Sequence, residues 1–327
     1  MRQRRTSSTD RHGRLTRHRH GQGEEESRSG GAQLSSADDH QLAWQLAREA
    51  GRRLLALRAS GEVPPEALRK AGDRLSHEYL TAELARLRPG DAVLSEEGAD
   101  EPARLTARRV WIVDPLDGTR EFGEPGRTDW AVHVALWQDG DLAAGAVALP
   151  AEDRVLSTLR DKASRGHEGN FAAPLGAANP PLLPPVEVGA AGRSADRPLR
   201  LVVSRSRPPA FVTLLAAGLG AVEVPMGSAG AKAAAVITGQ ADAYVHSGGQ
   251  YEWDSAAPVA VALAAGLHAS RIDGSPLRYN QPDPTLPDIL ICPADLSPRL
   301  LGGIAAAMNG GPVPQSFSAT TAQGEQF

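Results

Sequence analysis

An apolar run that leads into two aspartates and a Gly-Thr pair is the strongest constraint on this chain. Residues 110–119 read Val-Trp-Ile-Val-Asp-Pro-Leu-Asp-Gly-Thr, which predicts a strand buried on both faces and followed by a turn. The turn brings two carboxylates, a backbone carbonyl and a hydroxyl group close together. Such oxygen ligands suit magnesium, and a Gly-Thr pair can donate hydrogen bonds to a phosphate. The segment therefore indicates metal-assisted attack on a phosphate ester.

The composition narrows the class of protein. The 327 residues are 41% hydrophobic and 23% charged, and this length permits one large domain or two smaller ones. The net charge of −4 gives no reason to expect a nucleic-acid polymer as partner. A single cysteine, Cys292, excludes intrachain disulfides and fits a reducing compartment. Because the chain shows neither a secretory signal nor a membrane-spanning apolar stretch, we expect it in the cytoplasm, away from membranes.

The chain divides into four segments by composition and pattern. Residues 1–37 are rich in Arg, Ser, Gly and His, which predicts a disordered tail, and residues 309–327 predict a second one. Between them we expect a metal-binding N-terminal α+β subdomain at 38–190 and a C-terminal α/β subdomain at 191–308. Strand and helix patterns alternate, so the expected class is α/β, or layered α+β.

Hydrophobic periodicity predicts the main helices and strands. We expect helices at 38–59, at 73–87, near 208–219, after the Gly-Ser-Ala-Gly run at 227–230, and from Asp254 onward. Residues 166–199 lack periodicity and read as a linker. An Asp-Gly pair at 139–140 predicts a hairpin turn. The predicted strands lie at 91–95, 110–113, 132–136, 142–149, 199–204, 221–225 and 242–246.

Acidic residues collect at the ends of predicted elements, in four clusters. Each cluster alone has an ordinary explanation, since aspartates cap helices and a pair of glutamates suits an exposed turn. A simple turn, however, does not need two acids attached to a fully apolar strand, and together the four favour a metal site. The clusters are Asp73, residues 95–98, residues 114–117 and residues 252–255.

Two of these clusters resemble the signatures of a known superfamily. Residues 111–119 are similar to the first signature of the inositol monophosphatase superfamily, and residues 252–257, with Trp-Asp-Ser-Ala-Ala, to its second. Residues 95–97 resemble its metal-binding glutamate segment, and the likeness covers about 40–308. The resemblance implies an αβαβα sandwich of the inositol monophosphatase and fructose-1,6-bisphosphatase type that hydrolyses phosphoric monoesters.

Within that superfamily, the chain resembles the CysQ-type 3′(2′),5′-bisphosphate nucleotidases more than the other branches. Residues 117–122 and 227–232 carry this likeness, and residues 72–74, 129–133 and 273–280 resemble the actinobacterial form. The resemblance implies hydrolysis of 3′-phosphoadenosine 5′-phosphate to AMP and phosphate in sulfate assimilation. It also implies inhibition by lithium and a homodimer.

The resemblance further implies which residues form the site. Two or three magnesium ions would be held by Glu96, Asp114, the Leu116 carbonyl, Asp117 and Asp254. A water molecule would be the nucleophile, oriented and deprotonated by Glu97 or Asp73 together with Thr119, and the choice between the two acids stays open. Most of the superfamily carries Asp-x-Val-Thr-x-Ala-Asp before the second helix. This chain has Lys-Ala-Gly-Asp-Arg at 70–74 and keeps only the last acid, which leaves the role of Asp73 less defined.

The expected substrate contacts lie in both halves of the chain. The reacting phosphate would lie against the backbone N–H groups of Gly118 and Thr119. Ser228 and Lys232, at a predicted helix N-terminus, are candidates for the second phosphate of a nucleotide. His133 lies on a predicted strand, and we do not expect it to be a ligand.

Other functions remain open from the sequence. An inositol monophosphatase or a fructose-1,6-bisphosphatase would use the same fold. A haloacid-dehalogenase-type phosphatase has one residue between its two aspartates, whereas Asp114 and Asp117 have two between them. A non-catalytic metal or nucleotide sensor is a further alternative, and the presence of all the acids argues against it.

Overall fold

The computed structural model describes residues 23–159, 171–173 and 197–313. The chain divides into two units, residues 1–38 and residues 39–327, and every side chain discussed below belongs to the second. Most of the predicted linker and of the C-terminal tail, and the first part of the N-terminal tail, lie outside the described residues. The predicted subdomain boundaries therefore stay a prediction.

The predicted helices agree with the structure in position but not always in length, and α3 and α7 were not predicted. Helix α1 already begins at Gly23, within the segment expected to be a tail. Helix α2 begins at Pro65, so the expectation that Asp73 opens it is wrong. The helices are α1 Gly23–Ser60, α2 Pro65–Leu87, α3 Thr119–Gly123, α4 Ala210–Leu219, α5 Ala229–Ile237, α6 Glu252–Ala264 and α7 Ser297–Met308.

Within the described residues, the first sheet contains six strands in sequential order. Strands β1 and β2 are parallel, and each later neighbour pairs antiparallel. The predicted hairpin at Asp139 and Gly140 joins β3 to β4, and both residues have positive φ, as a tight turn requires. The strands are β1 Ala92–Ser95, β2 Arg109–Asp117, β3 Ala131–Gln138, β4 Asp141–Leu149, β5 Arg154–Ser157 and β6 Phe171–Ala173.

The second sheet contains five strands in the order β10-β11-β9-β7-β8. Strand β7 pairs parallel with β8 and β9, whereas β11 pairs antiparallel with β9 and β10. The last two strands and α7 were not predicted. The strands are β7 Arg200–Ser204, β8 Val222–Met226, β9 Ala243–Tyr251, β10 Leu267–Ser270 and β11 Thr285–Pro293.

Three hydrophobic cores join these elements into five layers. Apolar residues of α1 and α2 pack on one face of the first sheet. Helices α5 and α6 pack between the two sheets, and α4 and α7 cover the far face of the second. The predicted αβαβα sandwich is therefore confirmed. No helix in the described part of the chain is long and apolar enough to cross a membrane.

Strand β2 is covered on both faces, which explains the apolar run. Trp111 and Val113 point into the core beneath α1 and α2, whereas Val110 and Ile112 point into the core between the sheets. All four are fully buried, as predicted for a strand covered on both faces. The end of β2 is thereby fixed against the helices of the middle layer.

Candidate active site

Three carboxylates from two separate elements meet at the end of β2. Asp114 and Asp117 come from this strand, and Asp254 comes from the first turn of α6. One oxygen from each lies within 4.8 Å of the others. An oxygen-only donor set of this size is the kind that binds hard divalent cations such as magnesium. The sequence clusters at 114–117 and 252–255 are therefore brought together.

An irregularity in β2 aims both aspartates at the same place. The pairing register with β3 shifts between Asp114 and Asp117, so the strand departs from regular alternation there. The Asp114 carboxylate accepts a hydrogen bond of 3.0 Å from the Leu116 N–H. This local bond holds the carboxylate beside the turn, which is how two acids three residues apart can share one site.

The Asp117 carboxylate is anchored through one of its oxygens. Oδ2 accepts hydrogen bonds from the Ser228 hydroxyl and, at 2.7 Å, from the Gly230 N–H. The same oxygen lies 3.2 Å from Nε2 of His133. Burial alone would raise the pKa of Asp117, but the charge of His133, with these hydrogen bonds and Lys232, lowers it to about 2. The carboxylate is thus kept ionised.

His133 is a residue of this site that the sequence analysis did not assign. It is fully buried on β3, in register opposite Asp114, and its Nδ1 lies 3.0 Å from the Trp253 carbonyl. Both ring nitrogens lie within 3.2 Å of an oxygen atom, which favours the doubly protonated imidazolium. Burial opposes this charge, but the nearby Asp117 carboxylate raises the pKa of His133. The only sequence signal was a histidine alternating with Val132 and Val134 on a buried strand.

Asp254 serves its helix and the acid cluster at once. It is the third residue of α6, and its Oδ2 accepts a hydrogen bond of 2.7 Å from the Tyr251 N–H. The expectation that Asp254 opens this helix as its N-cap is therefore wrong by three residues: Tyr251 is the N-cap, and Asp254 closes a capping box from within the first turn, where another oxygen of its carboxylate can face the cluster. Burial, and then repulsion from Asp117, raises the pKa of Asp254 to about 6.

The carboxyl groups at the end of β2 outnumber the cationic side chains beside them. Burial and repulsion from Glu96 raise the pKa of Asp114 well above its ordinary value. Glu96 is largely exposed as a residue, yet burial of its carboxyl group beside Asp114, Asp117 and Asp254 raises its pKa to about 7. Crowded carboxylates with raised pKa values bind a cation well, because the cation removes their mutual repulsion. The residues present fit a divalent metal.

Asp73 reaches the site from the middle of α2. Gly72 allows this approach, because a Cβ there would lie 2.7 Å from the Phe122 ring on α3. The Thr119 hydroxyl lies 3.2 Å from the Asp73 carboxylate and 3.0 Å from the Leu116 carbonyl. Burial, with repulsion from Glu97, raises the pKa of Asp73 to about 6.

Ser228 and Lys232, the expected contacts for a second phosphate, make hydrogen bonds within the protein, and their contact with substrate stays a prediction. Ser228 caps α5, accepts a hydrogen bond from the Ala231 N–H and donates to Asp117. Lys232 is buried, and its ammonium donates to the carbonyls of Gly227 and Ser228 at 2.6 and 2.8 Å. Both polar groups are engaged within the protein. They support the Asp117 carboxylate and the start of α5.

Gly118 occupies a position that favours glycine. Its φ of 83° lies in the left-handed region, and a Cβ would lie 3.1 Å from the Ser228 Cβ. Thr119 follows as the first residue of α3. The expected phosphate contacts of Gly118 and Thr119 are thus next to the acid cluster.

The comparisons with known proteins agree with this architecture. A family model described as the inositol monophosphatase family matches residues 38–309. The 3′-phosphoadenosine 5′-phosphate phosphatase of Mycobacterium bovis is 50% identical over 265 residues, which cover 79% of this chain and 90% of that protein. The 3′(2′),5′-bisphosphate nucleotidase CysQ of Escherichia coli K12 is 32% identical over 245 residues, covering 72% and 91%.

A solved structure gives the same result. The crystal structure of CysQ from Bacteroides thetaiotaomicron, described as a bacterial member of the inositol monophosphatase family, matches with a TM-score of 0.67 at 26% identity. The match covers 78% of this chain and 97% of that one. The resemblance seen in residues 111–119 and 252–257 is thus confirmed. The chain belongs to the inositol monophosphatase family.

Proposed function

We propose that this protein is a magnesium-dependent phosphatase that converts 3′-phosphoadenosine 5′-phosphate to AMP and phosphate. The observation that carries the proposal is the convergence of Asp114, Asp117 and Asp254 within 4.8 Å. This geometry supports metal-assisted phosphate hydrolysis. The substrate follows from the name of the mycobacterial relative, which is 50% identical over most of both chains.

The proposed ligands for two or three magnesium ions are those expected from the sequence. Three of them form the cluster, and two border it: Glu96 through its carboxylate beside Asp114, and Leu116 through the carbonyl that Thr119 contacts. Bound there, magnesium would draw electron density from the phosphate and lower the pKa of water in the site. The anchor on Asp117 Oδ2 keeps that carboxylate fixed while its second oxygen remains for the cation.

The proposed base is Asp73, acting with Thr119. The Thr119 hydroxyl lies 3.2 Å from the Asp73 carboxylate, which suits a proton relay. In this relay the attacking water would give its proton to the hydroxyl as the hydroxyl gives its own to Asp73. A carboxylate whose pKa is about 6 is suited to this task near neutral pH. Glu97, whose charge acts on Asp73, is the second candidate. The backbone N–H groups of Gly118 and Thr119 would hold the phosphate while the ester bond to the leaving oxygen breaks.

A phosphate-release screen on the purified full chain tests the proposal. The substrates are 3′-phosphoadenosine 5′-phosphate, inositol 1-phosphate and fructose 1,6-bisphosphate, each with magnesium and with excess chelator. We expect the highest kcat/KM for the nucleotide and no turnover with chelator. A higher kcat/KM for inositol 1-phosphate or for fructose 1,6-bisphosphate would assign the protein to those phosphatases instead.

The cellular setting is part of the proposal. We place the reaction in the cytoplasm, as part of sulfur assimilation, which is consistent with a single buried cysteine and no described membrane-spanning helix. We further propose a homodimer and inhibition by lithium at a magnesium position. Light scattering coupled to gel filtration, and lithium titration of the nucleotide reaction, test these two points.

A further inference from the structure

Two aromatic rings form a parallel stack beside the acid cluster. The rings of Tyr251 and Trp253 have centroids 4.7 Å apart and an interplanar angle of 6°. Their residues flank the start of α6, with Tyr251 as its N-cap. Nearly parallel planes at this centroid separation fit the offset-stacked arrangement that aromatic pairs favour, and such a pair presents a flat face on each outer side.

The two residues of the stack are tied to the acid cluster by short contacts of their backbone atoms. The Tyr251 N–H donates to Asp254 Oδ2 at 2.7 Å, and the Trp253 carbonyl lies 3.0 Å from His133 Nδ1. The Tyr251 ring is therefore separated from the Asp254 carboxylate by no more than the length of its own side chain. Because these contacts use backbone atoms, they hold the stack in place without using either ring.

One ring of the stack is open to solvent. Tyr251 is 41% exposed, and it is the one aromatic side chain among the large hydrophobic residues exposed in the described part of the chain. The other exposed ones are aliphatic. Trp253 is partly buried against the core between the sheets, so it supports Tyr251 from one side. A rigid aromatic face that is covered on one side only is suited to a planar ligand on the other.

We propose that the Tyr251 ring, supported by Trp253, stacks on the base of the bisphosphate nucleotide. This inference rests on the proposed function and adds a residue that selects nucleotides over sugar and inositol phosphates. Stacking uses the π-face that every base has, so the site accepts purines generally rather than adenine alone. The ring would thereby recognise the part of the substrate that Ser228 and Lys232, being buried, do not reach.

The experiment compares two substrates that differ only in the base. These are adenosine 3′,5′-bisphosphate and abasic ribose 3,5-bisphosphate, each tested on wild type, Tyr251→Ala and Tyr251→Phe with saturating magnesium. For wild type we expect kcat/KM to be roughly tenfold higher with the base, within the range that one base–aromatic stack contributes. In Tyr251→Ala this ratio should fall close to one, mainly through KM, and Tyr251→Phe should keep it.

A matched control and a substrate variation complete the test. Leu214→Ala, another exposed apolar residue, lies on α4 and should leave the ratio as in wild type. Guanosine 3′,5′-bisphosphate should lose as much as the adenosine form in Tyr251→Ala. If Tyr251→Ala keeps the wild-type ratio, because both substrates lose equally or not at all, the stacking role is overturned while the phosphatase function stands. If wild type hydrolyses neither adenosine 3′,5′-bisphosphate nor the abasic compound, the proposed function itself fails, and the inference fails with it.

Discussion

His133 and Asp117 form a buried ion pair, with Nε2 of the imidazole 3.2 Å from Oδ2 of the carboxylate. The pair links the start of β3 to the end of β2, and the second ring nitrogen contacts the Trp253 carbonyl at the start of α6. One histidine on β3 thus contacts both of the elements that carry the acid cluster. Residues that hold a metal ligand in this way often matter nearly as much as the ligand itself.

Replacing His133 should weaken magnesium binding. In His133→Ala the Asp117 carboxylate loses its cationic partner and its fixed orientation, so we expect a roughly 10- to 100-fold loss in magnesium affinity or in activity. Titration of the nucleotide reaction with magnesium measures this. The control is His268→Ala on β10, whose imidazole bonds to Ser270. An unchanged magnesium dependence in His133→Ala would refute the positioning role.

Gly230 should tolerate no larger residue. A Cβ at this position would lie 2.2 Å from His133 Nε2 and 3.0 Å from the Ala131 Cβ. Gly230→Ala should therefore displace the imidazole from Asp117 and lower the unfolding free energy by about 1–3 kcal/mol. Denaturant unfolding and activity measure the two effects. Gly90→Ala is the matched control, because its added Cβ meets nothing within 4 Å. Equal stability and activity of the two variants would contradict this prediction.

The two candidate bases can be separated by substitution. Asp73→Asn should lower kcat by roughly 10²- to 10⁴-fold, as expected for loss of a general base, and leave the magnesium dependence nearly unchanged. Glu97→Gln should cost less, because no described contact joins Glu97 to Thr119 whereas Asp73 has one. Single-turnover rates at saturating magnesium measure the difference. The reverse order would make Glu97 the base.

His246 should make the fold sensitive to acid. Burial lowers the pKa of this imidazole from 6.5 to about 4, so the neutral form is favoured in the folded state. Burying the neutral imidazole therefore costs no stability above about pH 6.5. As the pH falls toward 4, the unfolded chain takes up a proton that the folded one does not, and the free energy of unfolding falls by at most about 3 kcal/mol. Denaturant unfolding at pH 7.5 and 4.5 should show a smaller acid-induced loss for His246→Gln. An equal loss in both proteins would contradict it.

Local patterns predicted most of the helices and strands and the layered α/β class, because long apolar runs decide which elements are buried, whereas the five-layer sandwich was expected from the family resemblance. The hairpin at Asp139 and the strand before Asp114 were correct for this reason. The end strands were missed because β10 has four residues and β11 carries Pro287 and Asp288, which interrupt the apolar pattern. The start of α2 was missed because an acid within a helix looks the same in sequence as a cap.

The site was predictable as far as neighbouring residues define it. The segments around Asp114 and Asp254 could be recognised from their own residue order. That their carboxylates lie together is seen only in the structure. The roles of His133 and Ser228 were not predictable, because each depends on a tertiary contact with Asp117, whereas Lys232 donates to the carbonyls of Gly227 and Ser228 at the start of its own helix. The sequence shows which side chains can donate or accept a hydrogen bond, but not which group each of them contacts in the folded protein.

The most direct measurement is magnesium-dependent hydrolysis of 3′-phosphoadenosine 5′-phosphate by Asp114→Asn. The substitution keeps the size of the side chain and removes one charge from the centre of the cluster, so the fold should remain intact by circular dichroism. We expect turnover to fall by at least roughly 10³-fold, because the metal that stabilises the phosphate is no longer held. Hydrolysis at the wild-type rate, with unchanged magnesium dependence, would show that this acid cluster is not the metal site.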